Sequence, residues 1–170
     1  MFETKVLHTE PASFSHEEQF ANTVYKGLSF DKKRLPSWLI FDNAGSEIFK
    51  EITELAEYLP AACEFEIIRK YKNNIAELIT GDIFNLIELG SGDGCKTRIL
   101  IEHLLDRKFS FHYFPIDISS GAVKNLARSL EIDHQDTSLK VTGLIGDYFE
   151  GLNTTVQGSP KPNLVLFLGV

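Results

Sequence analysis

The chain has 170 residues, of which 43% are hydrophobic and 24% are charged, and its formal net charge is −7. This length and composition suffice for one globular domain with a hydrophobic core. The acidic charge argues against nucleic acid and anionic membrane surfaces as partners, because both require a basic surface, and it favours a small-molecule partner.

The cysteine content and the lack of long apolar segments bear on the compartment. Cys63 and Cys95 are the only cysteines, too few for a disulfide framework, which favours a reducing environment. The N-terminus has no apolar core of signal-peptide length, and no later stretch is long enough to span a bilayer. We expect a cytoplasmic protein without membrane contact.

The first half of the chain is predicted to be mostly helical. Residues 1–13 show no periodicity and contain a proline, so we expect a loosely held arm or a cover over another part. Helices are predicted over residues 15–28, 43–59 and 61–79. The second should end at Pro60, and both it and the third have an apolar stripe that must be buried. No long linker follows, so we expect residues 1–82 to pack as a helical cover and to contribute to the substrate site.

From residue 84 the pattern changes to alternating strands and helices. The predicted elements are strand 85–89, helix 96–105, strand 110–116, helix 119–131, strand 139–144 and strand 163–168. This succession is typical of a doubly wound α/β sheet, to which we assign residues 83–170. The fourth strand is apolar on both faces, as a central strand should be, yet nothing follows to cover its edge. We therefore expect a fragment of a longer chain, cut after the fourth strand, whose open edge pairs in a homodimer or aggregates.

The clearest functional signal lies in residues 86–94. An apolar run ends in Glu88 and breaks into Gly90, Gly92 and Gly94, where a missing Cβ lets the backbone turn tightly and approach a ligand. The next helix would direct its free N–H groups at that ligand. The spacing misses the dinucleotide-binding pattern, because Cys95 occupies the position of the third glycine. A glycine-rich turn without a ligand is the plain alternative.

Two acidic residues follow later strands of the predicted sheet. Asp117 ends the second strand, where doubly wound folds place a carboxylate against the ribose hydroxyls, although an acid there also caps helices. Asp147 and Tyr148 follow the third strand, where they would meet the amino group and the ring of an adenine. The alternative for Asp147 is an ordinary turn with Gly146. Together with the glycine loop, these residues indicate a bound nucleoside.

The histidines and the cysteine beside the loop do not predict a further catalytic or metal-binding site. The five histidines have no metal-like spacing, so we predict no metal site. Cys95 beside a helix N-terminus would permit a reactive thiol, but a small residue packed against the loop is the favoured interpretation. The catalytic base is left unassigned.

The spacing Glu88-x-Gly90-x-Gly92-x-Gly94 resembles the first motif of the class I methyltransferases, which bind S-adenosylmethionine. A second resemblance, to the histidine-specific methyltransferases that include the ergothioneine-pathway histidine Nα-methyltransferase, covers the chain from about residue 19 onward. Its blocks are Leu35-Pro36, residues 41–53, Glu57-Tyr58-Leu59-Pro60, Glu64, residues 88–92, Lys96-Thr97-Arg98, residues 115–119, Gly146-Asp147 and Phe167-Leu168-Gly169.

The resemblance implies a class I methyltransferase fold of the Rossmann-like type, S-adenosylmethionine as cofactor and a small amino acid or amine as substrate. The cofactor contacts that it implies are Gly90, Ser91, Gly92, Lys96, Asp117, Asp147 and Tyr148. Substrate contacts are expected from Tyr58 and Phe41. The alternative is that both rings belong to the hydrophobic core. The sequence departs from the family at Phe41, Leu59 and Tyr148, where the usual residues are Tyr, Tyr and Phe, and it stops before the family's substrate-amine asparagine.

The leading prediction is an S-adenosylmethionine-dependent N-methyltransferase acting on the α-amine of histidine or a related amino acid. The fragment of 170 residues alone is expected to be inactive. Two alternatives stay open: a non-catalytic S-adenosylmethionine-binding module, and a methyltransferase for another small amine.

Overall fold

A parallel sheet of five strands organises the described part of the chain. The structure, a computed structural model, describes residues 1–7, 16–81, 83–157 and 161–168. The strands are β1 (Phe2–Val6), β2 (Ile83–Leu89), β3 (Ser110–Asp117), β4 (Lys140–Ile145) and β5 (Asn163–Leu166). Their order across the sheet is β1-β4-β3-β2-β5, and every neighbouring pair is parallel. Parallel neighbours require crossover connections, which helices provide.

Helices fill the chain between β1 and β2 and connect the later strands. Those in the described part of the chain are α1 (His16–Ser29), α2 (Asn43–Thr53), α3 (Leu59–Glu77), α4 (Cys95–Asp106), α5 (Ser120–His134) and α6 (Tyr148–Gln157). A 3-10 turn over Ser37–Ile40 precedes α2. None of these helices has both the length and the apolar character needed to cross a membrane.

The sheet lies between two hydrophobic layers, so helices cover both of its faces. Helices α4 and α5 form one layer with alternate residues of the strands. Its members include Phe84, Leu86, Leu100, Leu104, Phe111, Tyr113, Leu126 and Leu130. The smaller second layer joins Ile87, Ile116 and Leu144 to Leu152 of α6. Helices on both faces, with a reversal of strand order at β2, confirm the predicted doubly wound, Rossmann-like α/β class.

The N-terminal residues form a strand, which corrects the expectation of a loosely held arm. Strand β1 pairs in parallel with β4, from Phe2 opposite Val141 to Val6 opposite Ile145. Its hydrogen bonds come from a strand far along the chain, and Phe2 packs against the larger hydrophobic layer. Residues 8–15, which include the rest of the expected arm and the predicted start of the first helix, lie outside the described residues. The sheet therefore has one strand more than the four predicted.

The boundary between α2 and α3 also differs from the prediction. Helix α2 ends at Thr53, and Pro60 lies in the first turn of α3 instead of terminating α2. Proline is accommodated there because the first N–H groups of a helix have no intrahelical partner. The apolar periodicity alone predicted that residues 54–59 continue the second helix.

Helix α3 links the helical first half to the sheet. It packs on α4, and Ile75, Ala76 and the following Ile79 contact the larger hydrophobic layer. By contrast, Ile48 and Leu55 of the stripe predicted for residues 43–59 are 58% and 55% exposed. The expectation that this stripe is buried is therefore wrong for the described residues. The division into residues 1–82 and 83–170 stays a prediction.

Candidate functional site

The glycine loop joins β2 to α4 at the C-terminal edge of the sheet, where strand order reverses. The chain goes from β2 to β3 on one side, and β5 later pairs with the other side of β2. Ligands of open α/β sheets bind in the crevice at such a reversal. The N–H groups of Gly90 and Ser91 donate to the carbonyl oxygen of Ile116 at 2.9 and 3.2 Å, which fixes the loop against the end of β3.

The loop glycines are required for two different reasons. All three have positive φ, 71° at Gly90, 51° at Gly92 and 68° at Gly94, a region that favours glycine. A Cβ at Gly94 would lie 2.4 Å from a methyl carbon of Leu126, so this position is needed for packing on α5. At Gly92 a Cβ would meet no described atom within 4 Å. The loop backbone at Gly92 is therefore open to the approach of a ligand.

Ser91 contributes a buried polar atom that lacks a partner. The residue is 6% exposed, and within the described residues its Oγ has no hydrogen-bond partner. An unsatisfied buried hydroxyl costs about 1 to 3 kcal/mol, so such groups call for a specific explanation. A polar ligand in the loop would supply the missing hydrogen bond.

Asp117 ties the end of β3 to the glycine loop. Its Oδ2 accepts a hydrogen bond from the N–H of Gly92 at 3.0 Å, and its Oδ1 accepts from the N–H of Ser119 at 2.9 Å. The capping of α5 falls to Ser119, whose Oγ accepts from the N–H of Ala122 at 3.3 Å. The structure thus brings the Asp117 carboxylate beside the loop, and its contact with a ribose stays a prediction.

Asp147 and Tyr148 lie at the end of β4 and the start of α6. The Oδ1 of Asp147 accepts from the N–H of Phe149 at 2.8 Å, so this exposed carboxylate supports the first turn of α6. The ring of Tyr148 meets Phe167 edge to face, with centroids 5.8 Å apart. A Cβ at Gly90 would lie 2.9 Å from the Tyr148 hydroxyl, which places this hydroxyl over the loop. Burial, aided by the nearby carboxylates, raises the pKa of Tyr148 and keeps its hydroxyl protonated.

Three consecutive residues in the first turn of α4 contact three different elements. Lys96 Nζ lies 2.7 Å from Glu64 Oε2 of α3. Thr97 Oγ1 donates to Glu88 Oε1 of β2 at 2.5 Å. Arg98 pairs with Asp133 of α5 and donates to Ser129 Oγ at 2.7 Å. These contacts fix the helix that follows the glycine loop, and they explain the Lys-Thr-Arg block structurally.

Glu88 lies behind the loop with its carboxylate buried. Only 2% of the residue is exposed, and the carboxylate accepts hydrogen bonds from Thr97 and from the hydroxyl of Tyr113. Burial raises the pKa of Glu88 to about 7, although both hydrogen bonds oppose the shift. Burial and the adjacent carboxylate raise the pKa of Tyr113, which therefore stays a donor. Sequence reasoning missed Tyr113, because nothing in its neighbours distinguishes it from an ordinary strand residue.

The predicted substrate residues lie in the helical first half. Tyr58 directly precedes α3 and is partly buried, and its ring meets Phe49 edge to face at 6.2 Å. Phe41 follows the 3-10 turn and is 39% exposed, so it does not belong to the described core. Their contact with a substrate stays a prediction.

The remaining candidates add no catalytic group. Within the described residues no three His, Cys, Asp or Glu side chains come together as a possible metal site. Burial, with Asp93 beside it, raises the pKa of Cys95 to about 11, so the thiol is protonated at neutral pH. This shift argues against a reactive thiolate.

Comparison with known proteins finds similarity to methyltransferases. A family model described as a histidine-specific, S-adenosylmethionine-dependent methyltransferase matches residues 20–170. The histidine N-alpha-methyltransferase of Mycobacterium tuberculosis is 33% identical over 146 residues, which cover 86% of this chain and 44% of that protein.

Two further relatives match over similar extents. The histidine N-alpha-methyltransferase of Mycolicibacterium smegmatis is 30% identical over 158 residues, 93% of this chain and 47% of that protein. The 4-dimethylallyltryptophan N-methyltransferase easF of Claviceps purpurea is 27% identical over 157 residues, 91% of this chain and 45% of that protein. The chain spans a little under half the length of each of these three relatives.

Proposed function

The chain belongs to the histidine-specific, S-adenosylmethionine-dependent methyltransferases, and from this premise we propose that the protein methylates the α-amine of histidine or a related amino acid. The family membership confirms the resemblance found in the sequence, and S-adenosylmethionine is the cofactor of that family. The observation that carries the proposal is the buried hydroxyl of Ser91, which has no partner among the described residues and lies in a glycine loop at the sheet reversal.

The residues at the loop fit the polar groups of this cofactor. The open backbone at Gly92 would lie against the ligand, and Ser91 would gain its missing hydrogen bond. Asp117 would accept from the ribose hydroxyls, since a carboxylate makes strong charge-assisted hydrogen bonds. Asp147 would accept from the adenine amino group, with the Tyr148 ring against the base.

The reaction then requires orientation of the substrate more than acid-base chemistry. The cofactor supplies a methyl group already activated on a sulfonium. The protein's part is to hold a neutral amine in line with that methyl group and to exclude water from the pair. We propose that Tyr58 and Phe41, before α3 and before α2, provide aromatic surface for the substrate side of the site.

A methyltransferase for another small amine is the second candidate, and Phe41 favours it. The family usually has a tyrosine there, so a hydroxyl that would face the amino acid is missing. One relative is named for a different amino-acid substrate. A changed substrate with the same cofactor residues is consistent with both facts.

We further propose a compartment and an assembly state. Cys63 and Cys95 are exposed free thiols, which suits the reducing cytoplasm. Strand β5 is an edge strand of the sheet among the described residues. Its outer backbone groups are available for pairing with a second copy of the chain, giving a homodimer.

Mass spectrometry of the products tests the proposed function. The whole protein is incubated with S-adenosylmethionine and, separately, with histidine and a panel of other amino acids and small amines. We expect added methyl groups on histidine or a related amino acid, and less product with the Asp117→Ala variant at subsaturating S-adenosylmethionine. Methylation of a different amine would support the second candidate. Cofactor binding without any methylated product would instead indicate a non-catalytic binding module.

A further inference from the structure

A row of polar side chains crosses the sheet on the face that carries α6, and the proposed function uses none of them. Each strand contributes one residue to this polar row: Glu3, Thr142, His112, Asn85 and Asn163. Glu3 lies opposite Thr142, and Asn85 lies opposite both His112 and Asn163. Parallel strands with helices on both faces are usually apolar, and Asn85 and Thr142 are buried, so the polar row requires an explanation.

The polar row borders a cavity of about 280 Å³ between the sheet and α6. Four of its members line this cavity, together with Thr154 and Thr155 of α6, and no described residue of the glycine loop does. Asn85 precedes the end of β2 at Leu89 by about 13 Å, the length of four residues in an extended strand. The volume is close to that of the smaller pockets that bind small molecules. The cavity is therefore a candidate binding site separate from the loop.

Hydrogen bonds within the polar row fix the tautomer of His112. Thr142 Oγ1 donates its one hydrogen to Glu3 Oε1 at 3.0 Å, and it lies 2.8 Å from His112 Nε2. Nε2 must therefore donate to Thr142, which leaves Nδ1 of a neutral ring as an acceptor. Burial, with Lys161 and Lys140 nearby, lowers the pKa of His112 to about 4, so the ring is neutral at pH 7. Among the described residues, Nδ1 has no hydrogen-bond partner.

The cavity wall combines unused acceptors with ammonium groups. Lys5 Nζ lies 3.2 Å from Glu3 Oε1, and Lys161 also lines the cavity. Both contacts of the Glu3 carboxylate are made by Oε1, so Oε2 is an acceptor that no described residue uses. Phe114 and Leu144 supply an apolar part of the wall. A simple anion would leave the acceptors unsatisfied and a simple cation would face the ammonium groups, whereas a zwitterion satisfies both.

We propose that this cavity binds a small α-amino acid with an apolar side chain, at a site separate from that of methyl transfer. The ammonium of the ligand donates to His112 Nδ1 and Glu3 Oε2, and its carboxylate accepts from Lys5 and Lys161. Its side chain lies on the apolar part of the wall. This inference goes beyond the proposed function and does not depend on it, because none of the proposed cofactor or substrate residues takes part.

Calorimetric titration of L-leucine into the whole protein tests the site. We expect saturable binding that S-adenosylhomocysteine does not displace. Glu3→Gln should weaken leucine binding on the order of 10-fold, because a charge-assisted hydrogen bond to the ammonium is lost. The matched control Glu131→Gln removes an exposed carboxylate of α5, on the other face of the sheet, and should leave the affinity unchanged.

The ammonium can also be removed from the ligand. Isocaproate, which is leucine without its amino group, should bind the wild type about 10-fold more weakly than leucine does, with no further loss in Glu3→Gln. Equal affinity of the wild type for leucine and isocaproate would overturn the proposal, whether or not the variant folds. Unchanged leucine affinity in a folded Glu3→Gln protein, or displacement of leucine by S-adenosylhomocysteine, would also overturn it. Absence of saturable binding for L-leucine, L-valine and L-phenylalanine would do the same and would leave the proposed function untouched.

Discussion

Ser91 is the residue whose surroundings most directly indicate a ligand, because its hydroxyl is buried without a partner among the described residues. We predict that Ser91→Ala leaves the free energy of unfolding unchanged or raises it by up to ~1 kcal/mol, since an unsatisfied polar atom is removed. The same change should weaken S-adenosylhomocysteine binding about 5-fold. Thermal unfolding with and without the ligand measures both effects.

Ser129→Ala is the matched control for this experiment. Ser129 Oγ accepts a hydrogen bond from Arg98, so its loss should lower stability without changing ligand affinity. If Ser91→Ala behaved like Ser129→Ala in both respects, the Ser91 hydroxyl would have a structural partner and no role in binding.

Glu88 should make the stability of the protein fall as pH rises. Burial raises its pKa in the folded state to about 7 from the ordinary value of 4.5. Between these values the unfolded chain binds fewer protons, so the free energy of unfolding decreases with increasing pH. We expect the wild type to lose ~1 to 3 kcal/mol relative to Glu88→Gln between about pH 5 and about pH 8.

Chemical denaturation at several pH values checks this prediction. The control Glu102→Gln removes an exposed carboxylate on α4 and should leave the pH dependence as it is in the wild type. Parallel stability curves for Glu88→Gln and the wild type would show that Glu88 does not titrate in this range.

Tyr58 can be assigned to the substrate site or to the protein interior by kinetics. If its hydroxyl contacts the substrate, Tyr58→Phe should raise KM for the amino acid several-fold, with cofactor affinity and Tm nearly unchanged. Tyr71→Phe, at an exposed tyrosine of α3, is the control and should change neither. A lower Tm with normal KM would place the Tyr58 hydroxyl in a buried structural contact instead.

At the scale of elements, the strands after residue 84 and the helices α4 and α5 were predictable because each has a local pattern, whereas α6 was not predicted. The apolar run of β2, the glycines after it and the helical face of α5 can all be read within about ten residues. Strand β1 was not predictable, because its pairing with β4 depends on residues far along the chain and its own side chains are mostly exposed. The start of α3 was misplaced because Pro60 suits a first helical turn as well as a helix end.

The residues of the site were likewise predictable only where a pattern close in the sequence indicates them. Sequence reasoning found the loop and Asp117, because the motif spacing and the order of strands bring them together. It did not predict that Lys96, Thr97 and Arg98 contact three separate elements. Two of those contacts, of Lys96 with Glu64 and of Arg98 with Ser129, join residues 32 and 31 positions apart, and no local pattern encodes such partners.

At the scale of the whole molecule, the edge of the sheet at β5, which no other strand covers among the described residues, predicts self-association of the 170-residue chain. Strand β5 has four residues, and Val165 on it is 44% exposed. We expect concentration-dependent dimers or larger species in sedimentation velocity, reduced by Val165→Lys, because a charge on an edge strand disfavours edge-to-edge pairing. A monomer at every concentration, in both the wild type and the variant, would contradict this interpretation.

We predict that the glycine loop and Asp117 together bind the nucleoside of S-adenosylmethionine. The most direct measurement is calorimetric titration of S-adenosylhomocysteine into the wild type, Asp117→Ala and the control Asp136→Ala, which changes an exposed carboxylate after α5. We predict that the wild type and Asp136→Ala bind alike and that Asp117→Ala binds at least ~10-fold more weakly, since charge-assisted hydrogen bonds are lost. Unchanged affinity in a folded Asp117→Ala protein would contradict the account.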